Sequence, residues 1–445
     1  MAGSNSLHWR QKGNELYTSI KDGLSPVIKR DRLQQASNCY HRAMNQGTNE
    51  EDKMSASKNL AMTAWRRAQV EETSSARFST VVLYYKEAFK FFSAAVNGAQ
   101  GVKPKPWIDN IKSSAKICWE GLKSGKCSEM DIDDRVGVFY DVVQEIQIPH
   151  IRGKCYLEIA QSHFHIGVTA LEKGRFERAL SEMRNCHMPL HEAIASGKGE
   201  VTIEGEVKIL EADVFMHLCM AESMQARSIG DKMYHQLTME EEALNMDMAW
   251  EVVDWYKLAI IRTRDVTEVE LEAVALSRLG SLYHKVLKMK DKAKRYLMRS
   301  IHLAHSMHPR TFNNDDWFKE CSEILQAYQK ETVSAEEEQW NKEKEELKKE
   351  MKKELADLAK ADKKEDLELL DYLYKEYPPK KPIHKKFFKM SMAPKTDYPQ
   401  KKKYYQQSVV NYHPDRADVE KHGKIWKVLT EEITKMLTNR YQRMK

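Results

Sequence analysis

The chain has 445 residues with 72 Lys plus Arg against 66 Asp plus Glu, a net charge of +6 that does not by itself argue for a nucleic-acid partner. Its 41% hydrophobic content suffices for two or three domains with cores, and its few Gly (18) and Pro (12) favour helix. No apolar run is long enough for a bilayer, and MAGSNSLHWRQKGN lacks the apolar core of a secretory signal; the seven cysteines (Cys39, Cys118, Cys127, Cys155, Cys186, Cys219 and Cys321) form no CxxC pair, which predicts packed, reduced thiols in a cytoplasmic protein.

In chain order, the first three quarters carry a recurring helical face: a small residue, a large one four later, and a small one three after that. Ala36, Tyr40, Ala43 is one instance and Ala88, Phe92, Ala95 a second. Ala179, Met183, Cys186, then Val252, Tyr256, Ala259, then Ala293, Leu297, Ser300 follow. Small residues at this spacing let two antiparallel helices approach closely. HFHIGVTALEKGRFERALSEMRNC shows a whole hairpin: Ile166-Gly167 lies in a first helix, Gly174 ends it, and Phe176 starts the second. ALSRLGSLYHKVLKMKDKAKRYLMRSI repeats it with Leu279, Gly280 and Tyr283 and one extra residue in the turn. WRQKGNELY fits a first helix whose turn is lengthened by DGLSPVIKRDR.

This pattern resembles divergent tetratricopeptide repeats over residues 7–325, helix pairs that stack into a solenoid. An ordinary helical bundle is the alternative, since small-large-small faces occur in any packed helix pair. The resemblance implies a surface for a peptide or partner helix, a protein client or assembly. Some such domains grip a C-terminal carboxylate with a Lys or Arg and two Asn; Arg10, Asn14 and Asn59 sit at plausible positions, but the later basic positions of that clamp are not recognisable.

Residues 331–365 change composition sharply, with Glu and Lys recurring at i to i+4 spacing. This predicts a charged helical linker, read as a solvated spacer. Its thin stripe of Trp340, Leu347, Met351, Leu355 and Leu358 leaves a short coiled-coil seam as the alternative.

Residues 366–445 form the last block. DLELLDYLYKEY predicts a helix with Leu367, Leu370, Leu373 and Tyr374 on one face, ended by Pro378-Pro379. The basic segment KKPIHKKFFKMSMAPKTDYP follows, then a helix over KKKYYQQSVVNY, then His413-Pro414-Asp415. The last helix carries Ile425, Trp426, Leu429, Ile433, Met436 and Leu437 as a stripe that Tyr405, Val409 and Tyr412 can face, with Asp415 or Asp418 as its cap.

Helix, loop, basic helix, His-Pro-Asp, helix resembles a J-domain of the DnaJ type, closest to the auxilin-like branch through the long insertion and the C-terminal location. Tyr405 stands where that family has its helix-two tyrosine. The resemblance implies that His413, Pro414 and Asp415 contact the ATPase domain of a DnaK-type heat-shock chaperone and promote its ATP hydrolysis. It also implies that Lys401, Lys402 and Lys403 dock on an acidic surface of that partner. Three positions depart from the family pattern: Gln406 and Gln407 replace basic residues, and Glu432 replaces a small one.

The expected protein is therefore all-α: a tetratricopeptide-like helical-hairpin solenoid, a charged connecting helix and a C-terminal J-domain hairpin. The expected function is a co-chaperone, with clathrin-coat disassembly one specific possibility. The alternatives are a helical scaffold with a degenerate J-domain, or an RNA- or ribosome-associated adaptor, for which Phe387, Phe388, Tyr404 and Tyr405 interleave the basic run. No phosphate-binding loop, nucleophile elbow or HExxH is present, so no enzyme, cofactor or metal is expected. His302, His305 and His308 read as exposed helix histidines, and Pro189 spoils a ligand pair of His187 with His191.

Overall fold

The structure, a computed structural model, describes residues 2–74, 77–239, 245–380 and 398–443. The protein is all-α, with no strand among the described residues. It divides into two compact units, Met1–Ser322 and Glu323–Lys445.

The first unit contains α1 (Ala2–Thr18), α2 (Pro26–Asn45), α3 (Glu50–Glu72), α4 (Phe78–Gly98), α5 (Lys105–Ser124), α6 (Ile132–Val143) and α7 (Pro149–Glu172). It continues with α8 (Phe176–Asn185), α9 (His187–Ser196), α10 (Val201–Met239), α11 (Met246–Asp265), α12 (Val269–Lys285) and α13 (Lys290–Ser306). The next helix, α14 (Asp316–Glu350), begins in the first unit and ends in the second.

Chain neighbours pair: α1 with α2, α3 with α4, α7 with α8, α10 with α11 and α12 with α13. Four hairpins among the described residues share one device. A glycine on the first helix faces a large side chain on the second, so close that an added Cβ would lie 2.5 Å from Tyr40 at Gly13 and 2.8 Å from Met183 at Gly167. The corresponding distances are 2.8 Å from Tyr256 at Gly230 and 2.6 Å from Leu297 at Gly280. Two turns before each glycine, a second contact joins the residue three beyond the large side chain. The Ser6 hydroxyl donates to the Ala43 carbonyl (2.8 Å) and Ser223 to Ala259 (2.9 Å). Cys186 donates its thiol to Ala160 (3.5 Å), and Ser300 its hydroxyl to Ala273 (2.7 Å). One helix counts backwards while its partner counts forwards, so each pair is antiparallel. The small-large-small triplets read from the sequence are all buried.

Turn chemistry follows from the same hairpins. Gly174 (φ +68°) closes the turn between α7 and α8, with Arg175 N–H donating to the Ala170 carbonyl at 2.8 Å. The turn between α12 and α13 is longer, and Lys288 takes the left-handed conformation there (φ +53°). The first turn is shorter than expected. Pro26 occupies the first turn of α2 behind the Ser25 cap, so most of DGLSPVIKRDR is helical rather than loop. Trp119 of α5 fills the centre, 6.4 Å from the Phe89 ring and 5.0 Å from Phe139. All seven cysteines are buried and unpaired.

The second unit continues α14 and adds α15 (Lys352–Ala361), α16 (Asp366–Glu376), α17 (Tyr398–Tyr412) and α18 (Val419–Arg443). The charged segment expected to be a solvated spacer is part of this core. Met351 and Leu358 are buried with Leu367, Leu370 and Ile433, and Trp340, Leu347 and Leu355 pack against them. A thin apolar stripe is enough because the charged flanks also find partners on α18: Lys344 on Glu431, Lys348 on Glu432 (3.3 Å), and Lys427 over the Trp340 ring (4.7 Å).

No described helix is long and apolar enough to cross a membrane. No group of His, Cys, Asp or Glu among the described residues is placed to hold a metal ion. His187, His191, His302, His305 and His308 are exposed.

Candidate functional site

The His-Pro-Asp corner is built by the two helices it joins. α17 stops at Tyr412 because Pro414 removes a donor and crowds the preceding turn. Pro414–Arg416 then form one 3₁₀ turn. The Thr434 hydroxyl of α18 donates to the Tyr412 carbonyl at 2.8 Å, satisfying a helix-end group that proline leaves bare. Across the turn, Asp418 is the cap of α18, its carboxylate accepting from Lys421 N–H at 3.3 Å.

Two tyrosines seat α17 on α16. Tyr405 is fully buried and donates to the Asp366 carbonyl at 3.0 Å; Tyr412, also fully buried, donates to the Tyr377 carbonyl at 2.9 Å. Burial pushes both phenols well above their ordinary pKa, so they act as neutral donors. The Tyr374 ring stands edge-on to Tyr412 at 5.5 Å, and its hydroxyl accepts from Asn411 at 2.7 Å. Arg440 of α18 pairs with Asp362 (3.2 Å) and Asp366 (3.0 Å), tying the ends of α15 and α18 to the start of α16.

The turn itself stays outside this network. The His413 side chain is 49% exposed and that of Asp415 87%. Nδ1 of His413 accepts from Asp415 N–H at 3.4 Å. The Asp415 carboxylate lies 3.6 Å from the same nitrogen. Such a corner can accept and donate hydrogen bonds to a partner.

Lys401 and Lys402 are half-buried and Lys403 is exposed, all on the first two turns of α17. No carboxylate among the described residues pairs with them. Lys402 lies 5.9 Å over the Tyr441 ring. Gln406 is exposed and Gln407 half-buried on the following turn. The segment between α16 and α17, including Phe387 and Phe388, lies outside the described residues.

Three features differ from the sequence reading or were missed by it. Ile425, expected in the buried stripe, is 50% exposed, and Val428 is buried instead. Gly423, with a φ of +81°, breaks α18 near its start, and Ile425 falls in the first turn after that break. The His-Gly step inside an otherwise helical pattern was the available signal. Glu432, where a small core residue was expected, is held by Lys435 (3.0 Å) and Lys348 (3.3 Å). Burial alone would raise its pKa; the two ammonium groups outweigh that and hold it below the ordinary carboxylate value.

Arg10, Asn14 and Asn59, the possible carboxylate clamp, make contacts within the fold. Arg10 pairs with Asp52. Asn14 Oδ1 accepts from the Tyr40 hydroxyl at 2.8 Å and from Asn59 Nδ2 at 3.2 Å. The three residues are brought together as links between α1, α2 and α3. The same link recurs downstream, where the Tyr256 hydroxyl donates to Asp231 at 2.7 Å. Asn14 and Asp231 each follow the glycine of their hairpin.

No protein-family model matches the chain, and no curated protein matches it in sequence. The tetratricopeptide and J-domain resemblances therefore rest on the residues and geometry set out above.

Proposed function

We propose that the protein is a cytosolic co-chaperone of the J-domain type, whose helical hairpins recruit a protein client and whose C-terminal unit hands it to a DnaK-type chaperone. On this reading His413, Pro414 and Asp415 promote ATP hydrolysis by the partner, and the protein carries no active site of its own. One observation carries the reading most directly. Residues around the corner are spent on seating α17 and α18, while the His and Asp are held on a fixed proline turn and left exposed. A corner of this kind biases a partner's conformation through differential contacts.

Lys401, Lys402 and Lys403 supply steering toward an acidic surface. The glutamines at 406 and 407 confine that charge to the start of the helix, so docking is expected to depend strongly on these three residues. The test is association of the full chain with an ATP-loaded DnaK-type chaperone at low and high salt. Wild type is expected to bind, and Lys401→Glu/Lys402→Glu/Lys403→Glu to associate at least tenfold more slowly at low salt, with the difference shrinking at high salt. Absence of wild-type binding, or a triple variant that associates normally, contradicts the reading.

A further inference from the structure

Glu71 and Glu72 close α3 side by side and meet opposite surroundings. Glu71 holds the guanidinium groups of Arg67 and Arg30. Glu72, the last residue of the helix, has no ion pair among the described residues. Its Oε2 accepts from the Tyr85 hydroxyl of α4 at 3.3 Å. Its Oε1 is buried and accepts no hydrogen bond from any described residue. On the far side α5 gives way to Gly125, where an added Cβ would collide with Oε1. The carboxyl is therefore wedged between the end of α3, α4 and the turn that leaves α5.

The titratable groups that face it are Tyr85 from α4, Cys118 from α5, and Lys126 and Cys127 from the 3₁₀ turn Lys126–Glu129. Arg135 of α6 faces Cys127 behind them. Burial pushes Tyr85, Cys118 and Cys127 above their ordinary values, so all three are neutral. The Lys126 ammonium donates to the Ser74 carbonyl at 3.0 Å and makes no ion pair with Glu72. The Lys126 backbone N–H lies close enough to favour the carboxylate but makes no hydrogen bond to it. The carbonyl end of α3 adds partial negative charge. Burial raises the Glu72 pKa above the ordinary carboxylate value, and Tyr85 and Lys126 do not offset it.

We infer that Glu72 is a proton-operated latch: protonated, it seats the turn at Gly125 and the end of α5 against α3 and α4, and ionised, it loosens that seam. A buried charge without a partner is relieved by admitting water, so the opening is local. A carboxyl whose pKa is raised by folding contributes stability that is complete below the unfolded value, about 4.3, and is lost as pH rises through the folded one. Glu72 thus works in the opposite sense to Glu71 beside it.

The test follows amide hydrogen exchange in the full chain by mass spectrometry from pH 5 to pH 8, each rate divided by the intrinsic rate at that pH. Protection of residues 118–130 is expected to fall at least threefold in wild type over this range, while peptides of α12 and α13 stay level. Glu72→Gln keeps an acceptor for Tyr85 and carries no charge. Its protection of residues 118–130 is expected to be flat with pH and to exceed that of wild type at pH 8. Tyr85→Phe removes the one side-chain hydrogen bond that favours the carboxylate, and is expected to carry the fall to higher pH. Wild-type protection that does not change with pH, a fall that Glu72→Gln retains, or one that α12 and α13 share equally overturns the inference. So does a fall that Tyr85→Phe leaves in place or moves to lower pH, and this comparison decides alone if Glu72→Gln does not fold.

Discussion

At Gly13 a methyl group would meet the Tyr40 ring at 2.5 Å, and at Gly280 it would meet Leu297 at 2.6 Å. Both large side chains are fully buried, so neither can swing away without opening its hairpin. Gly13→Ala and Gly280→Ala are each expected to destabilise the chain by about 1–3 kcal/mol in chemical denaturation. Gly205, exposed in α10, has nothing within 4 Å of its missing Cβ. Gly205→Ala is expected to stabilise by roughly 0.5–1 kcal/mol, because helical propensity is then the only effect left. If the three substitutions behave alike, the close-approach account of the hairpins is wrong. The sequence announced the second-helix half of this device, since its small-large-small spacing is a local pattern. Gly167 and Gly280 were visible opposite it, but Gly13 and Gly230 were not, because what identifies them is the residue they face and not their neighbours in the chain.

At the scale of elements, Glu71 shows how charge joins α2 to α3. It accepts from Arg67 at 2.7 Å and from Arg30 at 3.0 Å. Burial works to raise its pKa, and the two guanidinium groups outweigh it, leaving the carboxyl below its ordinary value. A depressed folded-state pKa contributes stability that is complete above the unfolded value, about 4.3, and is lost as pH falls through the folded one. Glu71→Gln is therefore expected to be less stable than wild type at neutral pH and to lose less stability below about pH 5. An acid limb unchanged by the substitution excludes Glu71 as a contributor. The charged helix makes a second case. Its i to i+4 Glu and Lys pattern fits an exposed spacer, and composition cannot reveal that α18 supplies partners for those charges. Leu358→Ala is expected to cost about 2–5 kcal/mol, the value of a core residue. A change within about 0.5 kcal/mol would restore the spacer.

For the whole molecule, helical class was legible throughout, because Gly and Pro are scarce and the apolar spacing is helical. The corner at His413 was legible as well, since proline punctuates locally. Residues such as Asp366, Tyr377, Thr434 and Arg440 were not, because they act at the corner only after three helices have converged on it. The residues of the possible clamp show the same limit: Asn14 and Asn59 converge, but onto Tyr40 and each other. The central claim is that the exposed corner is a trigger for another protein's ATPase. The measurement that tests it most directly is single-turnover ATP hydrolysis by a cytosolic DnaK-type chaperone with the full chain, comparing wild type with His413→Gln. His413 is exposed and outside the buried network, so the substitution is expected to leave the helical circular dichroism unchanged. The account predicts acceleration by wild type and none by the variant. Folded wild-type protein that leaves the hydrolysis rate unchanged, or a variant that accelerates it equally, would contradict the account.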